Sequence, residues 1–67
     1  MDLQQAADEA MNYLDSVGVA AEWDALTVYG HVDTIRIHIG RTTYYLYKRN
    51  HYQMSNIKRY YPQKSPA

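Results

Sequence analysis

Hydrophobic residues recur at spacings of three and four along the first seventeen positions. Leu3, Ala7, Ala10, Leu14 and Val17 form a stripe that Ala6 and Met11 widen. Gln4, Gln5, Asp8, Glu9, Asn12 and Asp15 occupy much of the other side, so the spacing predicts a helix from residue 2 to about 17. Asp2 stands at the N-cap, with Gln5 three residues on in the capping-box position. Gly18 suits the left-handed residue of a Schellman ending, where Val19 can touch Leu14.

AAEWDAL follows and reads as a linker carrying the single Trp of the chain, Trp23, expected to fill the core. Its neighbours Glu22 and Asp24 read as a solvated pair. From Leu26 the period changes to two. LTVYGH is a first strand, and TIRIHI is the clearest one, with Ile35, Ile37 and Ile39 inward and Thr34, Arg36 and His38 outward. Gly40-Arg41 fits a two-residue type II′ turn, which takes Gly first. TTYYLYKR is a third strand, rich in β-branched and aromatic residues. Asn50 then caps a last helix with Gln53 in the capping-box position. Met54, Ile57 and Tyr61 supply that helix's apolar stripe, and Lys58 and Arg59 answer the dipole at its C-terminal end.

The elements run α-β-β-β-α. They predict one small α+β domain over residues 1–61, with two helices packed on one face of a three-stranded antiparallel sheet and a flexible tail over 62–67. The turn at Gly40-Arg41 sets the register: Ile39 opposite Thr42, Ile37 opposite Tyr44, Ile35 opposite Leu46, all facing the helices. The other face then shows Thr34, Arg36, His38, Thr43, Tyr45, Tyr47 and Arg49, with Arg36 across from Tyr45 and Thr34 across from Tyr47. A slip of one residue would turn this face inside out. The element order is similar to that of double-stranded-RNA-binding domains, and the likeness stops at topology. That family grips phosphate with a lysine-rich start to its second helix, whereas NHYQMSNIKR has its bases at the other end, so no functional residue carries over.

Composition narrows the picture. Sixty-seven residues without Cys make one domain with a small core and no disulfide support. The N-terminus lacks the basic start and apolar run of a signal peptide, and no apolar run approaches the roughly 20 residues a membrane span needs, so the expectation is a cytoplasmic protein with no membrane partner. Net charge is zero, which disfavours a general nucleic-acid coat. All seven acids nevertheless precede all seven bases, from Asp2 to Asp33 and from Arg36 to Lys64. Either the two halves pair with each other in the fold, or the molecule is two-faced and its basic side meets something acidic.

His31, His38 and His51 match no metal-ligand spacing, and no cofactor motif is present. His38 with Arg36 and Tyr45 has the residue types for RNA cleavage, but one strand pair offers little cavity, so the chain is expected to be non-enzymatic. An open face bearing aromatics, Arg, His and Thr is one way to hold single-stranded nucleic acid, by stacking bases and following phosphates. Tyr and Arg also dominate protein–protein hot spots. The sequence therefore points to a binding module docking nucleic acid or a nucleic-acid-handling protein through Arg36, His38, Thr43, Tyr45, Tyr47 and Arg49. The alternative is a stand-alone inhibitor or adaptor of the kind phages and mobile elements encode, for instance one blocking a defence nuclease such as a CRISPR effector. Its working surface would be the acidic first helix, through Asp8, Glu9 and Asp15. A homodimer matching acidic to basic sides is a third expectation.

Overall fold

A computed structural model describes residues 2–47 and 52–63. Helix α1 spans Leu3–Ser16, strands β1, β2 and β3 span Glu22–Val28, His31–Ile39 and Thr42–Tyr47, and helix α2 spans Tyr52–Tyr60. The strands form one antiparallel sheet in sequence order. The expected end of the third strand at Lys48 and Arg49, the Asn50 cap, His51 and the tail from Lys64 onward lie outside the described residues. Pro62 and Gln63 follow α2 without regular structure.

Local chemistry sets both ends of α1. The Asp2 carboxylate accepts from the Gln5 backbone N–H at 2.8 Å, and the Gln5 side chain accepts from the Asp2 N–H at 3.0 Å, which satisfies two donors that a helix start leaves without partners. At the other end Gly18 takes φ +76°, and the Val19 and Gly18 N–H groups reach back to the Leu14 and Asp15 carbonyls, a Schellman ending. Ala6, Ala7, Ala10 and Leu14 are fully buried; three alanines on one face let the helix lie close to the sheet.

The register follows from the turn. Gly40 has φ +59° while Arg41 stays out of the positive-φ region, and Ile39 pairs with Thr42, Ile37 with Tyr44 and Ile35 with Leu46. These residues face the helices, where Ile35, Ile37, Leu46, Met54 and Ile57 join the buried face of α1 in one core. Tyr61, just beyond α2, packs against that core with its ring edge-on to Tyr44 at 6.3 Å, and its carbonyl accepts from the Tyr13 hydroxyl at 2.7 Å. Burial pushes the Tyr44 phenol above its ordinary value, with a hydrogen bond to Tyr61 acting in the same direction.

Two sequence expectations need correction. The segment AAEWDAL is not a linker: β1 begins at Glu22, four residues earlier than Leu26. It ends at Val28, and Tyr29-Gly30 is a two-residue turn with both residues at positive φ, +51° and +79°, as a type I′ hairpin requires. Trp23 is not a core anchor. It faces the helix side, paired with Ile37, but both helices sit over β2 and β3, which leaves Trp23 39% exposed. No other residue of β1 is buried either. Lys58 and Arg59 lie in the last turn of α2 as expected, and the Lys58 ammonium also reaches across to the Glu9 carboxylate at 2.9 Å and lies 5.6 Å from the centre of the Tyr13 ring.

Tyr29 pays for its place in the turn, since a residue with a Cβ is strained at positive φ. Tyr29→Asn should raise stability by about 0.5–1 kcal/mol, because Asn tolerates that conformation and the 97%-exposed tyrosine ring gives up no packing. A denaturant midpoint at or below the wild-type value would contradict this.

Candidate functional site

The sheet face turned away from the helices is built in three rows across the strands: Glu22, His38 and Thr43; then Asp24, Arg36 and Tyr45; then Leu26, Thr34 and Tyr47. Alternation along each strand puts these residues on one side, and the register aligns them. Arg36, His38, Thr43, Tyr45 and Tyr47, all expected here from sequence, are brought together. Arg49 lies outside the described residues.

The middle row is an ion-paired cluster. The Arg36 guanidinium donates through Nε and Nη2 to the two Asp24 carboxylate oxygens, both at 2.6 Å, a bidentate pair. His38 Nε2 lies 3.3 Å from Asp24 Oδ2, and its Nδ1 is 3.1 Å from the Thr43 hydroxyl, so both ring nitrogens have partners. The Asp24 carboxyl is held below its ordinary value of 3.8, chiefly by the hydrogen bond from Arg36, which outweighs the opposing effect of desolvation, with a lesser contribution from His38. The same pair keeps Arg36 protonated.

Asp24 is the member that sequence reasoning missed, having been read as solvated. The signal was present in the alternation of EWDA, which puts Trp23 and Ala25 on one side and Glu22 and Asp24 on the other. Leu26, an apolar residue on the polar phase, hid it.

The pair changes the electrostatics of the face. Among the described residues of the three rows, two carboxylates stand against one guanidinium that is already engaged, so the basic character expected of this surface is absent there. What remains is amphipathic. The Tyr45 and Tyr47 rings lie nearly parallel, 15° apart, with centres 6.3 Å from each other. Thr34 is only 3% exposed although it belongs to the open face: its row neighbours Leu26 and Tyr47 flank it, and its hydroxyl donates to Asp33 at 3.2 Å. Leu26 and Tyr47 keep about half their own surface in solvent.

On α1, Glu9 is spent on Lys58, and Asp8 accepts from the Gln4 side chain at 3.2 Å; Asp8 and Asp15 are exposed. Arg36–Asp24 and Lys58–Glu9 each join an acid of the first half of the chain to a base of the second, so the charge segregation along the sequence is partly resolved by pairing inside the fold. Among the described residues no group of three or more His, Cys, Asp or Glu side chains is placed to hold a metal ion, and no helix is long and apolar enough to cross a membrane.

Because Asp24 titrates lower in the folded chain than in the unfolded one, its contribution to stability is present above pH 3.8 and is lost as pH falls through the lowered folded value. Asp24→Asn should therefore destabilise the domain at neutral pH and converge on the wild type in acid. Urea midpoints of both proteins across the acid range check this, and a gap that persists undiminished at the lowest pH contradicts it.

Compared with known proteins, the chain matches no family model, no curated protein and no solved structure. The likeness to double-stranded-RNA-binding domains therefore rests on element order alone, which does not imply a shared function.

Proposed function

We propose that the protein is a non-enzymatic docking module whose open sheet face binds another protein. The observation that carries this reading is the bidentate Asp24–Arg36 pair at the centre of that face. A surface made to follow phosphates keeps its guanidinium groups free for them, and here the central one is neutralised by a neighbouring strand. Two exposed, mutually stacked tyrosines beside an arginine are residue types that dominate protein–protein hot spots. The tyrosine rings supply area at low entropic cost, and their hydroxyls supply polar tips for hydrogen bonding.

An inhibitor or adaptor that occupies a site on a nucleic-acid-handling protein fits this reading, with the sheet face rather than the acidic helix as the working surface. The discriminating experiment is a titration with single-stranded and double-stranded oligonucleotides at low salt. The expected result is no saturable binding. Binding with a log–log salt slope of roughly −4 or steeper, the signature of several phosphate contacts, would overturn the proposal in favour of nucleic acid.

A further inference from the structure

The two edges of the sheet are finished differently. On β3 the outward N–H of Tyr45 is taken by the Gln53 side chain at 2.7 Å, so α2 covers the middle of that edge. Because Tyr45 bonds outward, its pairing with Arg36 is of the non-hydrogen-bonded kind, and Arg36 directs its backbone groups to Asp24 instead. Alternation along β1 then turns the N–H and C=O groups of Trp23, Ala25 and Thr27 outward. Among the described residues nothing meets them. The strand has no Lys, no Pro and no bulge of its own, since the extra residue at the Leu26/Thr27 step is Asp33 of β2. Natural edges normally carry such protections or charged side chains. The two charges of β1, Glu22 and Asp24, both lie on the open face, and Asp24 is paired with Arg36.

We infer that β1 pairs with β1 of a second copy, antiparallel about a two-fold axis at Ala25, to give a continuous six-stranded sheet. The side-chain pattern of β1 is self-complementary about that residue. In this register Trp23 faces Thr27 of the second copy and continues into its Val32, which covers two apolar side chains that are 39% and 44% exposed in the single chain. Ala25 meets Ala25 on the axis, where a small side chain lets Trp23 lie across the seam. On the other face Asp24 stands opposite Leu26 and Glu22 opposite Val28, so no acid directly opposes an acid, and Asp24 is already neutralised by Arg36. A C2 contact of this kind closes on itself and does not propagate. A 67-residue chain with an uncovered strand gains apolar burial from it. The inference concerns the sheet edge and stands apart from what the open face binds.

Three measurements on the intact chain test it. Sedimentation should show twice the 7.8 kDa chain mass at high concentration, falling to the single mass on dilution, with the emission of the sole Trp, Trp23, moving to longer wavelength as the dimer dissociates. Ala25→Pro removes an outward N–H that the single chain does not use, and should abolish the dimer while preserving the circular-dichroism spectrum. Ala25→Cys should form a disulfide-linked dimer under mild oxidation, since Cα atoms across a hydrogen-bonded pair are about 5.5 Å apart, within disulfide range. Ser55→Cys, exposed on α2, should do so only slowly. The Cys pair decides the matter even if the proline variant does not fold. A single-chain mass at every concentration, or a dimer in which Ala25→Cys cross-links no faster than Ser55→Cys, would overturn the inference.

Discussion

Ile37→Ala is expected to cost about 2–5 kcal/mol, the range for emptying a fully buried aliphatic site. Ile37 is 0% exposed at the centre of the middle strand, between Trp23 and Tyr44 in its row and beneath the helices. A domain of this length has a total stability of about 3–10 kcal/mol, so the variant should be partly or wholly unfolded at room temperature. Trp23→Ala provides the contrast. Removing a core tryptophan costs about 3–5 kcal/mol, but Trp23 lies outside the helix-covered core, and its loss should cost the single chain no more than about 1–2 kcal/mol. Urea unfolding of both variants, at a concentration where the chain is a single copy, measures the difference. A Trp23→Ala loss as large as that of Ile37→Ala would mean that the core extends under β1.

Tyr45→Ala and Tyr47→Ala should have the largest effects on binding. Each truncates one ring of a stacked pair on the β3 side of the open face, and hot-spot aromatics of this kind are worth about 2 kcal/mol or more, roughly 30-fold in affinity. The two rings support each other, so the double variant should lose less than the product of the single losses. Neither side chain belongs to the helix-covered core, and Tyr45→Ala should change stability by less than about 1 kcal/mol. Tyr47→Ala should cost somewhat more, because its ring helps bury Thr34. Affinities measured by surface capture of the partner, alongside thermal melts of the same proteins, separate the two effects. Retained affinity in the double variant would place the binding surface elsewhere.

Much of this was legible in the sequence, and the reason differs between elements. The helix α1 was readable because periodicity, cap and stop all agree on it: the Leu3–Leu14 stripe, the Asp2–Gln5 box and Gly18. The β2–β3 hairpin was readable because a glycine at the first turn position admits one register, and that register fixes which tyrosines face away from the helices. The first strand was not. Its pattern of apolar residues does not mark a buried side, because no side of β1 is buried, and a rule that equates apolar with buried fails on Trp23, Leu26 and Val28 alike. Its turn uses Tyr29 where a sequence rule looks for Asn, Asp or Gly. The Asp24–Arg36 pair joins residues twelve apart, and once the strand was started at Leu26 the two could not be placed side by side. That one boundary left out the carboxylates of Glu22 and Asp24, and without them the face reads as basic.

The claim that the open sheet face, and not the acidic helix, is the working surface is tested most directly with three immobilised proteins: the wild type, Tyr45→Ser/Tyr47→Ser, and Asp8→Asn/Asp15→Asn. All four altered residues lie at exposed positions, so folding, checked by circular dichroism, should be shared. Quantitative capture from cell extract should give a protein retained by the wild type and by the helix variant and lost from the tyrosine variant. A protein retained by the tyrosine variant and lost from the helix variant would contradict the account.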